Sequence, residues 1–251
     1  GIDNEQFVKH EFSPEQVAEV KKYFQQIVNW INNNCLVLPC RRALDINTDE
    51  RNEFNKYVGS AFIDTVLIAE EPGRILYSDD QWLRWYAQSK GINGVWTQVV
   101  LNNCLIQQNT NEILYRKTTI KLALLGYNYT IIDAATLIEG ARLANWELKP
   151  SYTWVVKILA DRRISREYAI FIAAEFFYKL YSEPIIDQTR DNLIFHLLNA
   201  ITDECYQTQI MNQLIQQVDR IIQSKPIILP RFQDEILQLI KIWKNIQPII
   251  T

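Results

Sequence analysis

The sequence predicts an α/β fold with a parallel sheet in residues 1–108, followed by an all-helical domain or bundle in residues 109–251, with helix dominant overall. Two observations lead to this prediction. Before residue 97, short apolar runs with strand character alternate with amphipathic helical segments, and the joins between them are short, as in parallel sheets. From residue 97 onward nearly every segment has the apolar spacing of a helix, and prolines or a glycine turn separate the segments.

The first helix is predicted to begin at Pro14. Ser13 has the properties of an N-cap, proline suits the first helical position, and Gln16 completes a capping box. The apolar residues that follow recur at helical spacing up to Ile31. Residues 35–39 (Cys-Leu-Val-Leu-Pro) form a continuous apolar run closed by a proline, which predicts a buried strand.

A second helix is predicted from Asn47 to the stop at Pro72-Gly73. Residues 74–78 are predicted to form the next strand, which ends in Asp79-Asp80, and another helix follows over residues 81–89. A Gly-Ile-Asn-Gly turn then leads into Val95. In the second half of the chain only residues 129–132 have strand character.

The composition excludes several classes of site. Lysine and arginine total 26 and aspartate and glutamate total 29, so the net charge of −3 offers no general attraction to polyanions. The seven glycines form no phosphate-binding glycine motif, and the two histidines are isolated, which excludes the motifs of zinc proteases and zinc fingers. No serine or cysteine has a histidine within a recognisable nucleophile motif.

The cysteines, the lack of a membrane span and the start of the chain indicate the cellular compartment of the protein and its origin from a longer one. Four cysteines (Cys35, Cys40, Cys104 and Cys205) are too few for a disulfide framework, so free buried thiols are expected. No apolar run approaches the ~20 residues of a membrane span and no signal-like start is present, which indicates a cytoplasmic protein without membrane contact. Because the chain starts at Gly1 and its one methionine is Met211, we expect it to be a piece of a longer parent protein.

Three carboxylates stand out in residues 59–80. Asp64 lies in the apolar part of a helix, and Asp79 and Asp80 directly follow the predicted strand. Ligands bind beyond the carboxyl ends of the strands in open α/β sheets, and a helix antiparallel to the strand brings Asp64 to the same edge. Converging carboxylates repel one another unless a hard divalent cation neutralises them. The sequence therefore predicts a site for Mg²⁺ or Mn²⁺.

These residues resemble the pattern of the PIN-domain nucleases, in which a helical aspartate, a glycine turn, an apolar strand and a Thr/Ser-x-Asp motif follow one another. Ser78-Asp79-Asp80 is similar to the final motif, and Asp64 is similar to the helical aspartate. Residues 37–45 (Val-Leu-Pro-Cys-Arg-Arg-Ala-Leu-Asp) resemble an earlier strand and the acidic residue after it, here Asp45.

Two further features resemble the PIN domains found at the carboxyl end of long bacterial proteins linked to conflict or defence. They are Arg84 and the run Trp96-Thr97-Gln98. The resemblance as a whole covers about residues 35–100, which is well under half of the chain.

The resemblance implies a metal-dependent nuclease that hydrolyses phosphodiester bonds, of RNA rather than DNA, with a role as a defence or toxin effector. It makes Asp64, Asp80 and Asp45 the ligands of Mg²⁺ or Mn²⁺, and Asp79 a ligand or a residue that orients water. Single-stranded RNA is the expected partner. The candidate contacts to nucleic acid are Arg41, Arg42 and Arg84.

One part of the family pattern has no clear counterpart. PIN domains begin with a strand that ends in the first catalytic aspartate, whereas Asp3 follows only Gly1-Ile2 and no other strand precedes Ser13. Either the parent protein supplies this strand upstream or the acidic set is incomplete. The sequence leaves open whether the PIN-like sheet has its first strand.

Each candidate residue also has an ordinary structural role open to it. Asp79-Asp80 precede a helix, where aspartate commonly serves as a cap. Asp64 could pair with a lysine or arginine, and Asp45 could be a loop or cap residue. The aromatic residues Trp82, Trp85 and Tyr86 are expected to pack against the helical half, with stacking on unpaired bases as the alternative.

A second function belongs to another class. The chain could be a non-catalytic protein-interaction module, in which a degenerate PIN-like sheet supports a helical platform. The slightly acidic charge, the uncertain first strand and the long helical extension favour this alternative.

Overall fold

Helices form most of the protein. The computed structural model describes residues 12–57, 59–127, 130–202, 207–224 and 230–246. Within these residues, two short paired strands near the amino terminus accompany the helices. The predicted fold class, a small parallel sheet followed by a helical half with helix dominant, is therefore confirmed.

The amino-terminal elements are α1 (Pro14–Asn34), a 3-10 helix (Arg41–Leu44), α2 (Thr48–Tyr57), α3 (Ser60–Ala69), β1 (Leu76–Tyr77), α4 (Gln81–Ser89), β2 (Gly94–Val95) and α5 (Thr97–Ile106). The later helices are α6 (Glu112–Leu124), α7 (Ala134–Leu143), α8 (Pro150–Leu159), α9 (Arg166–Leu180), α10 (Asp187–Ile201), α11 (Gln207–Ser224) and α12 (Pro230–Ile246).

Contacts between residues divide the chain into two compact units. The amino-terminal unit contains the residues up to Leu76 together with Trp85–Asn93, and the carboxyl-terminal unit contains Tyr77–Arg84 together with the residues from Gly94 onward. Ser78, Asp79 and Asp80 therefore belong to the same unit as the later helices. The domain boundary near residue 108 stays a prediction.

Helix α1 begins where the sequence predicts. The Ser13 hydroxyl accepts a hydrogen bond from the Gln16 N–H at 3.3 Å, and the Gln16 side chain accepts one from the Ser13 N–H at 2.9 Å. Pro14 occupies the first helical position, whose N–H needs no partner. No residue of α1 is buried.

The predicted buried strand at residues 35–39 is wrong. This segment forms no strand, and Leu36 and Val37 are 81% and 73% exposed. Pro39 offers no N–H to a ladder, and the 3-10 helix begins directly afterwards at Arg41. The thiols of Cys35, Cys40 and Cys104 are free as expected, but Cys35 is exposed and the other two are only half-buried; Cys205 lies outside the described residues.

The second predicted strand is present but short. The Leu76 N–H donates to the Asn93 carbonyl at 3.0 Å, and the Ser78 N–H donates to the Val95 carbonyl at 2.9 Å, so β1 and β2 run parallel. Leu76 is 1% exposed. Strand β1 ends immediately before Ser78-Asp79-Asp80, the position that the sequence predicts for the acidic motif.

The carboxyl-terminal unit has a dense apolar core. Tyr152, Phe176, Phe177 and Leu197 are fully buried between α8, α9 and α10. The Tyr152 hydroxyl donates to the Leu193 carbonyl at 2.8 Å, and burial raises the pKa of this phenol well above its usual value. Within the described residues, no helix combines the length and the apolar character that crossing a membrane requires.

Helices α7 and α8 approach each other closely at Gly140. A Cβ atom at this position would lie 2.7 Å from the Ser151 carbonyl oxygen, which is closer than side chains tolerate. The Ser151 hydroxyl donates to the Gly140 carbonyl at 3.1 Å across the same contact. The residue at this point of α7 must therefore lack a side chain.

We predict that Gly140→Ala lowers the free energy of unfolding by about 1–3 kcal/mol because the added methyl group overpacks the contact. The cost of overpacking should outweigh the opposing gain of about 1 kcal/mol in helix propensity that alanine has over glycine. Urea denaturation measures the change. Ser151→Ala is the control, since it removes only the hydroxyl bond, at a cost of about 1 kcal/mol. A Gly140→Ala variant as stable as the unsubstituted protein would contradict the close approach of α7 and α8.

Candidate functional site

Asp79 is bound through both carboxylate oxygens to Thr97, the first residue of α5. Its Oδ1 accepts from the Thr97 N–H at 2.9 Å, and its Oδ2 accepts from the Thr97 hydroxyl at 2.6 Å. The Tyr77 hydroxyl lies 2.6 Å from Thr97 Oγ1. Because Thr97 donates its proton to the carboxylate, Tyr77 is the donor in that contact. Asp79 thus acts as a cap for α5, whose own N-cap residue, Trp96, supplies no side-chain hydrogen bond.

Asp80 caps the preceding helix. Its Oδ1 accepts from the Leu83 N–H at 3.0 Å in the first turn of α4, and its own N–H donates to the Ser78 hydroxyl at 3.1 Å. The structural role that the sequence offers Asp80 is therefore confirmed. Asp80 is exposed, and its Oδ2 makes no hydrogen bond to the described residues. This carboxylate can contact a ligand without leaving the helix end.

Asp64 lies on α3 and forms an ion pair with Arg51 of α2. The Arg51 Nη2 atom lies 3.1 Å from Asp64 Oδ1, and the Asp64 side chain is 33% exposed. Arg51 also donates through Nη1 to the Ala43 carbonyl at 3.0 Å. Arg51 therefore holds α3 and the 3-10 helix together within the amino-terminal unit, and the paired alternative for Asp64 is confirmed.

Asp45 ends the 3-10 helix. Its N–H donates to the Arg42 carbonyl at 3.1 Å, and its side chain is exposed and makes no hydrogen bond or ion pair with the described residues. Asp45 is therefore a loop or cap residue, as its alternative reading has it, with a carboxylate that is open to a ligand.

The three candidate arginines differ in how far they are engaged. Arg41 is exposed and makes no ion pair within the described residues, whereas Arg42 pairs with Glu70. Arg84 donates to the Ser78 carbonyl at 2.6 Å, and its guanidinium lies 5.0 Å from the centre of the Trp96 ring. Arg84 therefore supports the local structure, and Arg41 is the most available of the three for a phosphate contact.

The candidate carboxylates match a divalent cation in chemistry. Carboxylate oxygens are the donors that Mg²⁺ and Mn²⁺ prefer, and Asp45 and Asp80 keep oxygens without a partner among the described residues. Across the described part of the chain, no three or more histidine, cysteine, aspartate or glutamate side chains form a group that could hold a metal ion. Asp79 differs from Asp45 and Asp80, since each of its oxygens already accepts one hydrogen bond from Thr97.

The expected burial of the tryptophans on α4 is wrong. Trp82 and Trp85 are 65% and 64% exposed, whereas Leu83 and Ala87 of the same helix are buried. Residues four positions apart share one face of a helix, so the buried pair turns Trp82 and Trp85 toward solvent. The alternative, in which these rings stack on a ligand, stays open.

Two residues that matter for the site were not predicted as partners. The sequence predicts that Asp64 could pair with a lysine or an arginine. No local pattern identifies Arg51 as that partner. Thr97 is part of the Trp96-Thr97-Gln98 run that carries the family resemblance, but its bond to Asp79 joins residues 18 positions apart.

Comparison with known families supports the resemblance. Residues 1–89 match the family model described as a PIN domain associated with the TPR-GreAB-C-PIN system. The match covers about the first third of the chain and includes Asp45, Asp64, Asp79 and Asp80. No curated protein and no solved structure matches the chain. The predicted resemblance to PIN domains is thereby confirmed for this segment.

The two neighbouring aspartates should respond differently to the same substitution. Asp80→Asn keeps the cap of α4, because asparagine is as good an N-cap as aspartate, and should change the free energy of unfolding by less than about 0.5 kcal/mol. Asp79→Asn removes one of two acceptors that face the donors of Thr97, and should cost about 1–3 kcal/mol. Urea denaturation of both variants gives the comparison; equal losses would argue against the Asp79–Thr97 bonds.

Proposed function

We propose that residues 1–89 form a PIN-type nuclease module that hydrolyses phosphodiester bonds, with RNA preferred to DNA. The observation that carries the proposal is the family match over these residues, which contains the acidic motif directly after β1. The carboxyl ends of strands are where open α/β sheets bind their ligands.

Asp45, Asp64 and Asp80 are the residues that we propose as metal ligands. When bound, Mg²⁺ or Mn²⁺ would supply an activated water and stabilise the charge on the leaving oxygen. Arg51 orients the Asp64 carboxylate through their ion pair. Asp79, fully bonded to Thr97, holds the segment in place and is the weakest candidate for direct contact with the substrate.

The substrate is proposed to be single-stranded. Two exposed tryptophans on one helix offer flat apolar surfaces on which unpaired bases can stack, whereas a duplex keeps its bases stacked on one another. Arg41 supplies an exposed positive charge for the phosphate backbone. The name of the matching family refers to a larger system, so we propose that the chain works as part of a longer cytoplasmic defence protein.

A second candidate function, a non-catalytic interaction module, has its own support. Helix α1 has no buried residue, and an apolar stripe runs along its length. A large exposed apolar face commonly marks a protein contact. The stripe consists of Val17, Val20, Phe24, Ile27, Val28 and Ile31.

The nuclease proposal predicts that Mn²⁺ raises the melting temperature, because a cation that binds only the folded protein stabilises it by mass action. Asp64→Asn and Asp80→Asn should abolish this rise, since each removes a charge that the cation needs. Asp187→Asn is the matched control, because Asp187 pairs with Arg190 far along the sequence in α10 and should leave the rise intact. Differential scanning fluorimetry measures all four proteins.

Cleavage of single-stranded RNA by the parent protein, lost in Asp64→Asn and Asp80→Asn and retained in Asp187→Asn, is the expected activity result. A parent protein that neither responds to Mn²⁺ nor cleaves single-stranded RNA or DNA would overturn the nuclease and leave the interaction module as the better account.

The interaction module makes a separate prediction for α1. Phe24→Gln and Ile31→Gln should each change the free energy of unfolding by less than about 0.5 kcal/mol, as exposed positions do. Leu197→Ala in the core should cost about 2–5 kcal/mol in the same urea titration. A large loss of unfolding free energy in Phe24→Gln would mean that other residues of the same chain already cover the apolar stripe of α1. The support for the interaction module would then be removed.

A further inference from the structure

Three consecutive residues at the start of α5 each bind a different part of the carboxyl-terminal unit. Trp96 lies under the guanidinium of Arg84, and Thr97 holds the Asp79 carboxylate. The third residue, Gln98, is 2% exposed. Its side chain points to a later segment of the chain.

Gln98 pairs with the backbone of Ile131 as a neighbouring strand would. Its Nε2 donates to the Ile131 carbonyl at 2.7 Å, and its Oε1 accepts from the Ile131 N–H at 2.6 Å. The same Nε2 lies 3.2 Å from the Tyr115 hydroxyl of α6. Ile131 stands two residues before Asp133, the N-cap of α7. Gln98 therefore joins the start of α5 to α6 and to the entry of α7.

Arg84, which lies over Trp96, also contacts the segment before α4. Arg84 donates to the Ser78 carbonyl, and its aliphatic stem lies against Gly94, where an added Cβ would be 3.1 Å from Arg84 Cγ. Ser78, which precedes Asp79, is thus held through its carbonyl, and the Asp79 carboxylate is held by Thr97. Asp80 follows immediately, so the direction of its carboxylate depends on these contacts.

We propose that Thr97 and Gln98 are positioning residues for Asp80, through which the later helices control the acidic segment. The inference rests on the proposed nuclease function. Thr97 acts on Asp80 through Asp79, and Gln98 acts by fixing the first turn of α5 to Ile131 and Tyr115. A change in the packing of α6 or α7 is therefore transmitted to the segment that carries Asp80.

This role differs from simple support of the fold. Misplacement of a catalytic group by about 1 Å can slow the chemical step by about a hundredfold without altering substrate binding to the same extent. Loss of the Gln98 bonds should therefore lower kcat by about tenfold or more and leave KM within about twofold.

The experiment compares Gln98→Ala with Gln107→Ala in the full chain. Gln107 is the exposed C-cap residue of α5, so its substitution controls for the loss of a glutamine at an end of this helix. Hydrogen exchange is followed at the amides of Ser78, Leu83 and Ile131. We expect Gln98→Ala to speed exchange at all three by about tenfold and Gln107→Ala to leave them unchanged.

Exchange that rises at Ile131 alone would overturn the inference, because the effect would then stop at α7. If Gln98→Ala does not fold, Thr97→Val tests the other half of the contact. It should speed exchange at Leu83 and lower kcat, and Thr97→Ser should restore both by returning the hydroxyl. Wild-type behaviour of Thr97→Val would equally overturn the inference.

The exchange and activity readouts separate the two ideas. Coupled exchange in a protein that cleaves nothing would reject the nuclease and keep the connection between the helices and the acidic segment. Cleavage at the wild-type rate by Gln98→Ala and Thr97→Val would keep the nuclease and reject the positioning role.

Discussion

The first N–H groups of a helix have no partner within it, and α5 meets this requirement with a residue from far earlier in the chain. Trp96 offers no cap, so the Asp79 carboxylate accepts both the N–H and the hydroxyl of Thr97. A negative charge at this end also interacts favourably with the helix dipole. This one carboxylate therefore joins the segment directly after β1 to the start of α5.

The capping role of the aspartates and the metal-binding role that we propose for them use the same side chain. Aspartates are good helix caps because their short side chains reach backbone N–H groups, and they are good ligands for hard cations because their oxygens carry charge. Asp80 can do both, since one oxygen caps α4 and the other has no partner among the described residues. Each oxygen of Asp79 accepts a hydrogen bond from Thr97, so Asp79 has a structural role.

The two units are stabilised in different ways. The carboxyl-terminal unit has a continuous core in which Phe176, Phe177 and Leu197 are fully buried, so hydrophobic burial dominates there. In the amino-terminal unit α1 buries nothing, and the ion pair of Asp64 with Arg51 and the capping box at Ser13 are prominent among its contacts. Half-exposed ion pairs contribute little, usually under about 1 kcal/mol. A small set of buried apolar side chains, among them Ile63, Val66 and Leu76, supplies the hydrophobic burial of this unit.

Features that depend on near neighbours could be read from the sequence. The start of α1 after its cap Ser13, the end of β1 before Asp79 and the cap role of Asp80 follow from capping and periodicity within a few residues. The exposure of residues 35–39 and of Trp82 could not be predicted in this way, because an apolar residue is buried only if another element covers it. The partners of Asp64, Asp79 and Gln98 lie 13, 18 and 33 residues away. Which donor binds which carboxylate depends on how the helices pack in space. A local sequence pattern does not encode contacts between residues so far apart in the chain.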